Sequence, residues 1–408
     1  MLFTAEQADK RLKEACWAVL LGNFFIGCGV MVVAGGLNDL TRDLHTSITQ
    51  GGHLIAVAAV MMGCGAPVLA SLVSRLDRRH LLVGSLVWYA MGHALCALAS
   101  GYAMLLPIRA LTVLGAAVFT PQAAATIGHI SPPNQRAKNI TFIFMGWSVA
   151  SVIGMPMAAW VGERLGWRVA MSLVSIGSGI AALLLWRVLP QGVRTPALPL
   201  RAWKRVFRSP LMMAVVLVTA CQSAGQQTVL AYAAPYFKFG YGASPEQISL
   251  MFAWFGSLAL TGNLLLNRFI DRIGAARAVT GTLILMAGGM VLWPWANTLP
   301  FLAVMILPWA ISGFATNSGQ QARLGGLSPR LAPALLALNT SGIYLGHAAG
   351  ATGGGWLLQR GPYSNLPYLG LVWMLLALGL SAWALSRQRK RARDRGGRSK
   401  TLVPRRPV

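Results

Sequence analysis

An all-α membrane protein of twelve transmembrane helices, arranged as two six-helix halves related by a parallel pseudo-repeat, is the fold class the sequence predicts. Three observations predict it. Apolar runs of the ~20 residues needed to cross ~30 Å of hydrocarbon recur along the chain, and the charged residues, only 11% of the total, fall in short islands between them. Lys and Arg collect in every second island, as cytoplasmic loops require. Landmarks in the first half recur about half a chain later.

In order, the apolar runs lie near 16–38, 52–74, 81–100, 102–126, 139–162, 167–189, 211–236, 246–269, 277–295, 298–318, 332–358 and 365–386. The N-terminal stretch MLFTAEQADKRLKEAC has acids among its bases, and the run after it is too long for a signal-peptide core, so the first span is expected to stay in the mature protein. With a cytoplasmic N-terminus, the outer loops carry only Arg42, Arg164, Arg168, Lys238 and Arg360, and Arg109 lies within a span. The rest of the 35 Lys and Arg fall on the cytoplasmic side, which places both termini there. The net charge of +25 is therefore a topology signal and does not point to nucleic acid. The spans divide into halves at 1–190 and 211–386, with a polar, proline-containing linker at 191–210 and a basic tail at 387–408. That tail, RQRKRARDRGGRSK, suits anionic lipid head groups. Cys16, Cys28, Cys64, Cys96 and Cys221 fall in or beside spans and read as small buried hydrophobes, not as a disulfide framework.

The fifth run, GWSVASVIGMPMAAWVG, carries Gly146, Gly154, Pro156 and Gly162, although glycine and proline are the poorest helix formers. Shifting the chain by 196 residues lays Gly146, Ala150, Gly154 and Ala158 on Gly342, Gly346, Gly350 and Gly354. A shift of 197 lays Arg75 on Arg272. Small residues four apart let another backbone approach closely in lipid, and Pro156 removes one helix hydrogen bond and permits a bend. The duplicated stripes are expected where the two halves meet. Halves repeated in parallel predict a solute site at mid-membrane between them.

Two basic islands punctuate matching places, ASLVSRLDRRHLL at 70–82 and NRFIDRIGAARAV at 267–279. With LLPIRALTVLG around Arg109, GWSVASVIGMP in span five, YAAPYF in span seven and NTSGIYLGHAAGATGGG in span eleven, the chain resembles the major facilitator superfamily. Within that family it is similar to the drug:proton antiporter branch that includes arabinose efflux permease-like proteins. The family's loop signature, G-x-x-x-D-R-x-G-R-R, is matched by Asp271, Arg272 and Gly274. In the first copy Arg75, Arg78 and Arg79 match, while Ser74 takes the aspartate's place and Asp77 the glycine's. The resemblance implies gating by these loops, alternating access and export. Without it, breaking and remaking ion pairs in the islands competes with simple anchoring of helix ends.

An ionised side chain inside the bilayer is costly and a functional candidate by default. Arg109 is the one Lys or Arg that the sequence places well inside a span. It is read either as attracting an anionic substrate or perturbing a neighbour's pKa, or as an arginine bonded to carbonyls that fixes packing. All ten acids fall in loops, tails or span edges, so the titratable candidate is histidine. His347 shares a helix face with Thr340 and Tyr344, opposite Gly342, Gly346 and Gly350, as a proton carrier or substrate ligand, or else as an interhelical hydrogen bonder. His53 and His93 rank lower, since His53 starts its span and span three is usually peripheral in this fold. Gln222, Gln226 and Tyr232 in span seven, with Asn23 and Asn339, offer uncharged hydrogen bonding beside aromatic walls such as Trp147. Amides of this kind should point to protein or water, and interhelical hydrogen bonds without substrate contact are the equal alternative for each.

The expected function is export of a small organic solute, neutral polar or amphipathic, through a monomer in a bacterial inner membrane, with protons as the candidate coupling ion. Proton-coupled uptake or facilitated diffusion of a sugar, nucleoside or similar metabolite is the nearest rival. No cofactor and no metal site is expected. A membrane enzyme would need a positioned nucleophile, acid-base pair or metal cluster, and a sensor a signalling domain; the sequence presents neither pattern.

Overall fold

The computed structural model describes residues 5–73, 76–132, 135–194 and 200–400, and the regular structure of these residues is helical. Span one is α1 (Ala5–Gly35), followed by a short helix α2 (Leu37–Asp43). Spans two to four are α3 (Ile48–Leu72), α4 (Arg78–Ala97) and α5 (Tyr102–Ile130). Span five comprises α6 (Arg136–Val149), a π turn (Ala150–Gly154) and α7 (Met155–Leu165), and span six is α8 (Trp167–Val188). A linker helix α9 (Leu200–Phe207) leads to span seven, α10 (Pro210–Leu230), which continues past a break as α11 (Ala233–Tyr241). Then come α12 (Pro245–Ile273), α13 (Ala275–Leu292), the pair α14 (Leu299–Met305) and α15 (Leu307–Leu327), α16 (Ala332–Leu358) and α17 (Leu366–Lys400). Twelve crossings put the start of α1 and the end of α17 on one face, the near face; α2 and α11 lie at the far face.

Local chemistry explains most boundaries. Ser47 with Gln50 and Ser244 with Gln247 form reciprocal capping boxes that start α3 and α12. Gly166 and Gly274 separate α7 from α8 and α12 from α13 at φ of 94° and 85°, a conformation that needs glycine. Gly274 in the second basic island is thus the joint that lets span nine begin one residue after span eight ends.

Nine described helices are long and apolar enough to cross a membrane, and taking α14 and α15, bent by 43°, as one span gives ten. The remaining two crossings are α10 and α16. Their length suffices, at 21 and 27 residues, but glutamines, glycines and hydroxyls dilute them. They pack on one another and inside the bundle, so neither needs a lipid-like surface all round.

The duplicated glycine stripes do not meet across the two halves; each packs inside its own half. The stripe of span five lies on α1: a β-carbon on Gly146 would sit 2.3 Å from the Leu20 carbonyl oxygen, one on Gly154 2.5 Å from Cys28 Sγ, and one on Gly162 3.3 Å from Gly36 Cα. The stripe of α16 lies on α10 in the same register. There Gly342 faces Val216 at 3.4 Å, Gly346 the Ala220 carbonyl at 2.2 Å and Gly350 the Ala224 carbonyl at 2.1 Å. The spacing of 196 residues therefore maps both the stripe and its partner helix. The halves meet instead along α3 with α16, where Gly63 faces Leu345, and along α12 with span five, where Gly256 faces the Ser151 carbonyl at 2.5 Å.

Pro156 acts as expected on span five, through a particular device. The Met155 N–H donates to the Ala150 carbonyl, five residues back, so the helix widens to a π turn just before the residue that has no N–H. The linker also departs from a plain polar stretch. Within α9, Val206 is fully buried against Leu211, Val215 and Leu335, with Lys204 and Arg205 exposed.

Asp43, at the end of α2, accepts from Trp167 Nε1 at 2.9 Å and pairs with Arg168. These bonds hold its carboxyl below the usual carboxylate range. A depressed folded-state pKa adds stability above the ordinary carboxylate value and loses it as pH falls through the folded value. Asp43→Asn is therefore expected to lower the melting temperature slightly at pH 7, with the gap to wild type closing in acid. A gap that persists to pH 3 would show that packing, not charge, carries the contact.

Candidate functional site

The polar residues of the spans fall into three groups. The first surrounds Arg109, which is 1% exposed on α5. Its guanidinium donates to His93 Nε2 at 3.1 Å and to the Gly29 and Val30 carbonyls at 2.7 and 3.3 Å. His93 Nδ1 lies 2.9 Å from the Tyr89 carbonyl, so that nitrogen carries the proton and Nε2 is free to accept from arginine. The Tyr89 hydroxyl donates to the Ile26 carbonyl at 3.0 Å. Arg109 thereby ties α1, α4 and α5 together, the packing role that the sequence left open. His93, ranked low as a proton carrier or ligand, serves here as the acceptor for Arg109. Tyr89, His93 and Cys96 at spacings of four and three already mark one polar face of α4.

A second group repeats across the halves. Asn23 donates to the Ile143 carbonyl at 3.0 Å and accepts from Thr120 at 3.2 Å. At the positions 196 residues after Asn23 and Ile143, Thr219 donates to Asn339 Oδ1 at 2.6 Å; Gln320, one turn beyond the counterpart of Thr120, donates to Thr219 at 3.0 Å. Asn23 and Asn339 thus clasp span one to five and span seven to eleven. Gln222 donates to Gln226 at 2.9 Å and touches Met286 Sδ, buried between α10 and α13. These residues are internal to their own half.

The third group sits on the seam. The Tyr232 hydroxyl donates to the Ala351 carbonyl at 2.6 Å, and Gly52 of α3 leaves room for its ring. Tyr344 and His347 are half-buried, with rings 5.9 Å apart and edge to face, and Tyr344 packs into the hydrophobic cluster of the first half. Of the eight predicted binding residues, Tyr232 at Gly52 and Tyr344 in the first-half cluster reach the other half, and His347 stands beside Tyr344 on α16. Arg323 is a buried cation as well: it is 4% exposed and donates to Ser381 Oγ at 3.0 Å, because α15 runs to Leu327, well past the expected end of span ten.

At the far face, ion pairs join the halves. Lys238 Nζ lies 2.9 and 3.1 Å from the two carboxylate oxygens of Glu163, which Arg42 also approaches at 3.6 Å. Arg164 donates through two nitrogens to Glu246. Thr49 donates to the Gly355 carbonyl and Ser249 to the Pro156 carbonyl, each at 3.1 Å. None of these residues stood out in the sequence, since single charges in short loops look like ordinary solvated ends. Asp39, at a span edge by sequence, is 5% exposed and accepts from the Trp167 N–H at 2.7 Å.

The near-face loop behaves differently. Asp77 caps α4, accepting from the Arg79 N–H at 2.9 Å and the His80 N–H at 3.4 Å, and it also accepts from the Gly192 N–H. Burial raises its pKa, but these bonds together outweigh it and hold the carboxyl below the usual range. Arg78 is buried and donates to Gln122. These named bonds stay within the first half and the start of the linker. Arg75 lies outside the described residues; Asp271 falls in the last turn of α12, beside an exposed Arg272.

A model of the Major Facilitator Superfamily matches residues 19–238 and 215–408, together almost the whole chain. The chain belongs to the major facilitator superfamily. This facilitator is similar to the inner membrane transport protein YdhP of Escherichia coli (strain K12), at 28% identity over 364 residues, 88% of this chain and 93% of that protein. It is 22% identical over 372 residues to the uncharacterized MFS-type transporter YbcL of Bacillus subtilis (strain 168), 91% and 95% of the two chains. Among solved structures it shares its fold with a bacterial homolog of the human lysosomal transporter Spinster, in an inward-facing and unoccupied conformation. That TM-score is 0.72 at 18% identity, covering 95% of this chain and 98% of the other. The human organic anion transporter MFSD10 (TETRAN) aligns at a TM-score of 0.68 and 17% identity, covering 90% and 99%. The facilitator is accordingly a multi-pass transport protein, and its glycine stripes and clasps are the internal ties of two transporter halves.

Proposed function

We propose that this facilitator exports a small neutral or amphipathic organic solute across a bacterial inner membrane by alternating access, as a member of the drug:proton antiporter branch, with both termini cytoplasmic. The observation that carries this is the asymmetry of the ties: ion pairs bridge the halves at the far face, whereas Asp77 at the near face is committed to its own half and to Gly192 at the start of the linker. In this reading the conformation is closed to the outside. Outward opening would require Glu163 and Glu246 to leave Lys238 and Arg164 while the near-face loops close. Substrate would meet Tyr344 and His347 on the seam, with the amides of Gln222 and Gln226 held back as structural bonds. The basic tail would rest on anionic lipid, and a monomer would suffice, since the pathway lies within one chain.

Among the described spans no carboxylate lies mid-membrane; the buried acids Asp39 and Glu163 belong to the far-face ion pairs. His347 is therefore the proposed proton carrier. In sealed proteoliposomes with an imposed pH gradient, wild type is expected to drive solute against its gradient, and His347→Gln to keep downhill flux while losing the pH-driven component. Solute flux indifferent to pH in wild type would favour facilitated diffusion, and unchanged coupling in the variant would remove His347.

A further inference from the structure

The linker helix α9 carries cations and no acid. Arg201, Lys204, Arg205 and Arg208 are all exposed, and the helical turn continues through Arg208, whose N–H donates to the Lys204 carbonyl at 3.2 Å. At about 100° per residue the four share an arc of roughly 100° on one side. Residues 164–245 contain no Asp or Glu, and no ion pair among the described residues involves any of the four. Opposite the cations, Val206 is buried in one apolar cluster with Leu211 and Val215 of α10, Leu335 of α16 and Ala384 of α17. Trp203 packs against that cluster, and Phe207 lies on the flank, 56% exposed.

Two attachments set the depth of α9. Only Arg208 and Ser209 separate it from Pro210, where span seven begins, so its end stands within about 10 Å of the start of a membrane crossing. Ala384 lies about 6 Å short of Gln388, where the apolar stretch of α17 ends. That helix turns Val372, Leu375 and Leu376 outward. Its Trp383 is 38% exposed, with the Arg387 guanidinium 5.5 Å from the ring centre, the aromatic and basic pairing of a head-group layer. A helix that shares a cluster with Ala384 is therefore level with the head groups.

We propose that α9 is a docking surface for anionic phospholipid of the near-face leaflet, its four cations meeting head-group phosphates while Phe207 enters the acyl boundary. Charge selects the partner, because a row of cations with no acid beside it is complementary to a negative layer. Phe207 selects a lipid layer over a soluble acid, which would leave that ring in water. The other end of the linker is stitched to the first half, where the Arg78 N–H donates to the Val193 carbonyl at 3.0 Å and the Gly192 N–H to Asp77. Lipid on α9 would hold the second end of that connection to the bilayer surface. The site is independent of the direction of transport and of the basic tail.

The test places the purified full chain in nanodiscs of phosphatidylcholine with a minority of phosphatidylglycerol. Each lipid in turn carries a photoactivatable acyl chain, and labelled peptides are mapped by mass spectrometry. In wild type the peptide holding Trp203 to Phe207 is expected to be labelled by both probes, and several-fold more by phosphatidylglycerol. The combination Arg201→Gln, Lys204→Gln, Arg205→Gln and Arg208→Gln should bring that ratio close to one, each charge contributing up to about fivefold at low salt. Arg187→Gln, at an exposed cation near the end of α8, is expected to leave the ratio unchanged. Phe207→Ser should lower labelling by both probes and keep their ratio. If the fourfold variant does not fold, the wild-type ratio decides, since high salt should narrow it. Absence of lipid label on α9, equal labelling by the two lipids in wild type, or a ratio unmoved by the four changes or by salt overturns the site. An unlabelled α9 in a chain that binds polyglutamate through the same four cations would assign the face to an acidic soluble partner, which overturns it too.

Discussion

Glu163→Lys opens the far face, and the double change Glu163→Lys with Lys238→Glu closes it again. Glu163 is 6% exposed and Lys238 31%, so their pair is mostly withdrawn from water. Removing one partner of such a pair leaves the other uncompensated, and reversal adds repulsion from Arg42 and Lys238 together. A loss of about 2 kcal/mol is expected in the closed state, roughly thirtyfold in the ratio of closed to open. A cysteine at Thr49, whose hydroxyl bonds to the Gly355 carbonyl across the seam, reports it. Its labelling by a membrane-impermeant thiol reagent should rise sharply in the single variant and return toward the parental rate in the swap. Labelling equal in all three proteins would mean that the ion pair decorates a face closed by other contacts. The neighbouring pair of Arg164 and Glu246 is about half exposed on each side and contributes less, since solvent screens it.

The second large effect concerns the buried guanidinium. His93→Leu removes the acceptor of an arginine that is 1% exposed, leaving a desolvated cation with two carbonyls. A cost of about 3 kcal/mol is expected. Arg109→Leu in that background should recover much of the loss, because no buried charge then remains to be satisfied. Arg109→Lys should do worse than its conserved charge suggests, since an ammonium cannot span His93 and the Gly29 carbonyl as the planar fork does. Thermal unfolding of the single and double variants in one detergent gives the cycle. Strictly additive losses would show that His93 and Arg109 act independently.

Much of this was legible in the sequence, for identifiable reasons. Spans announce themselves because hydrocarbon tolerates few charges, and the repeat at 196 residues held in the contacts as well as in the letters: Leu20 and Val216, like Cys28 and Ala224, face matching glycines. The partner of those glycines was not legible. A stripe states that something must come close, and only the packed helices say which backbone does. Arg109 was found because an intramembrane charge is rare, yet its acceptor lies on another helix, and the polar face of α4 does not by itself say which helix it meets. Gln222, Gln226 and Asn339 read equally as cavity chemistry or as interhelical hydrogen bonds, because a single helix does not show whether its polar face meets water or a neighbour. The far-face latch escaped because Glu163, Lys238, Arg164 and Glu246 are distant in the chain and common in kind.

The π turn at Ala150–Gly154 has a mechanical consequence. A wide turn holds one residue more than an α-helical turn needs, a small reserve of slack at mid-span. On its near side, Asn23 fastens Ile143 to α1; on its far side, the same span ends in Glu163 and Arg164. Span five is thus moored at one end and latched at the other, with give between them. On the proposed alternating-access reading, a parting of those ion pairs would let the wide turn take up a small change of tilt, while the bond from Asn23 to Ile143 keeps the near segment on α1.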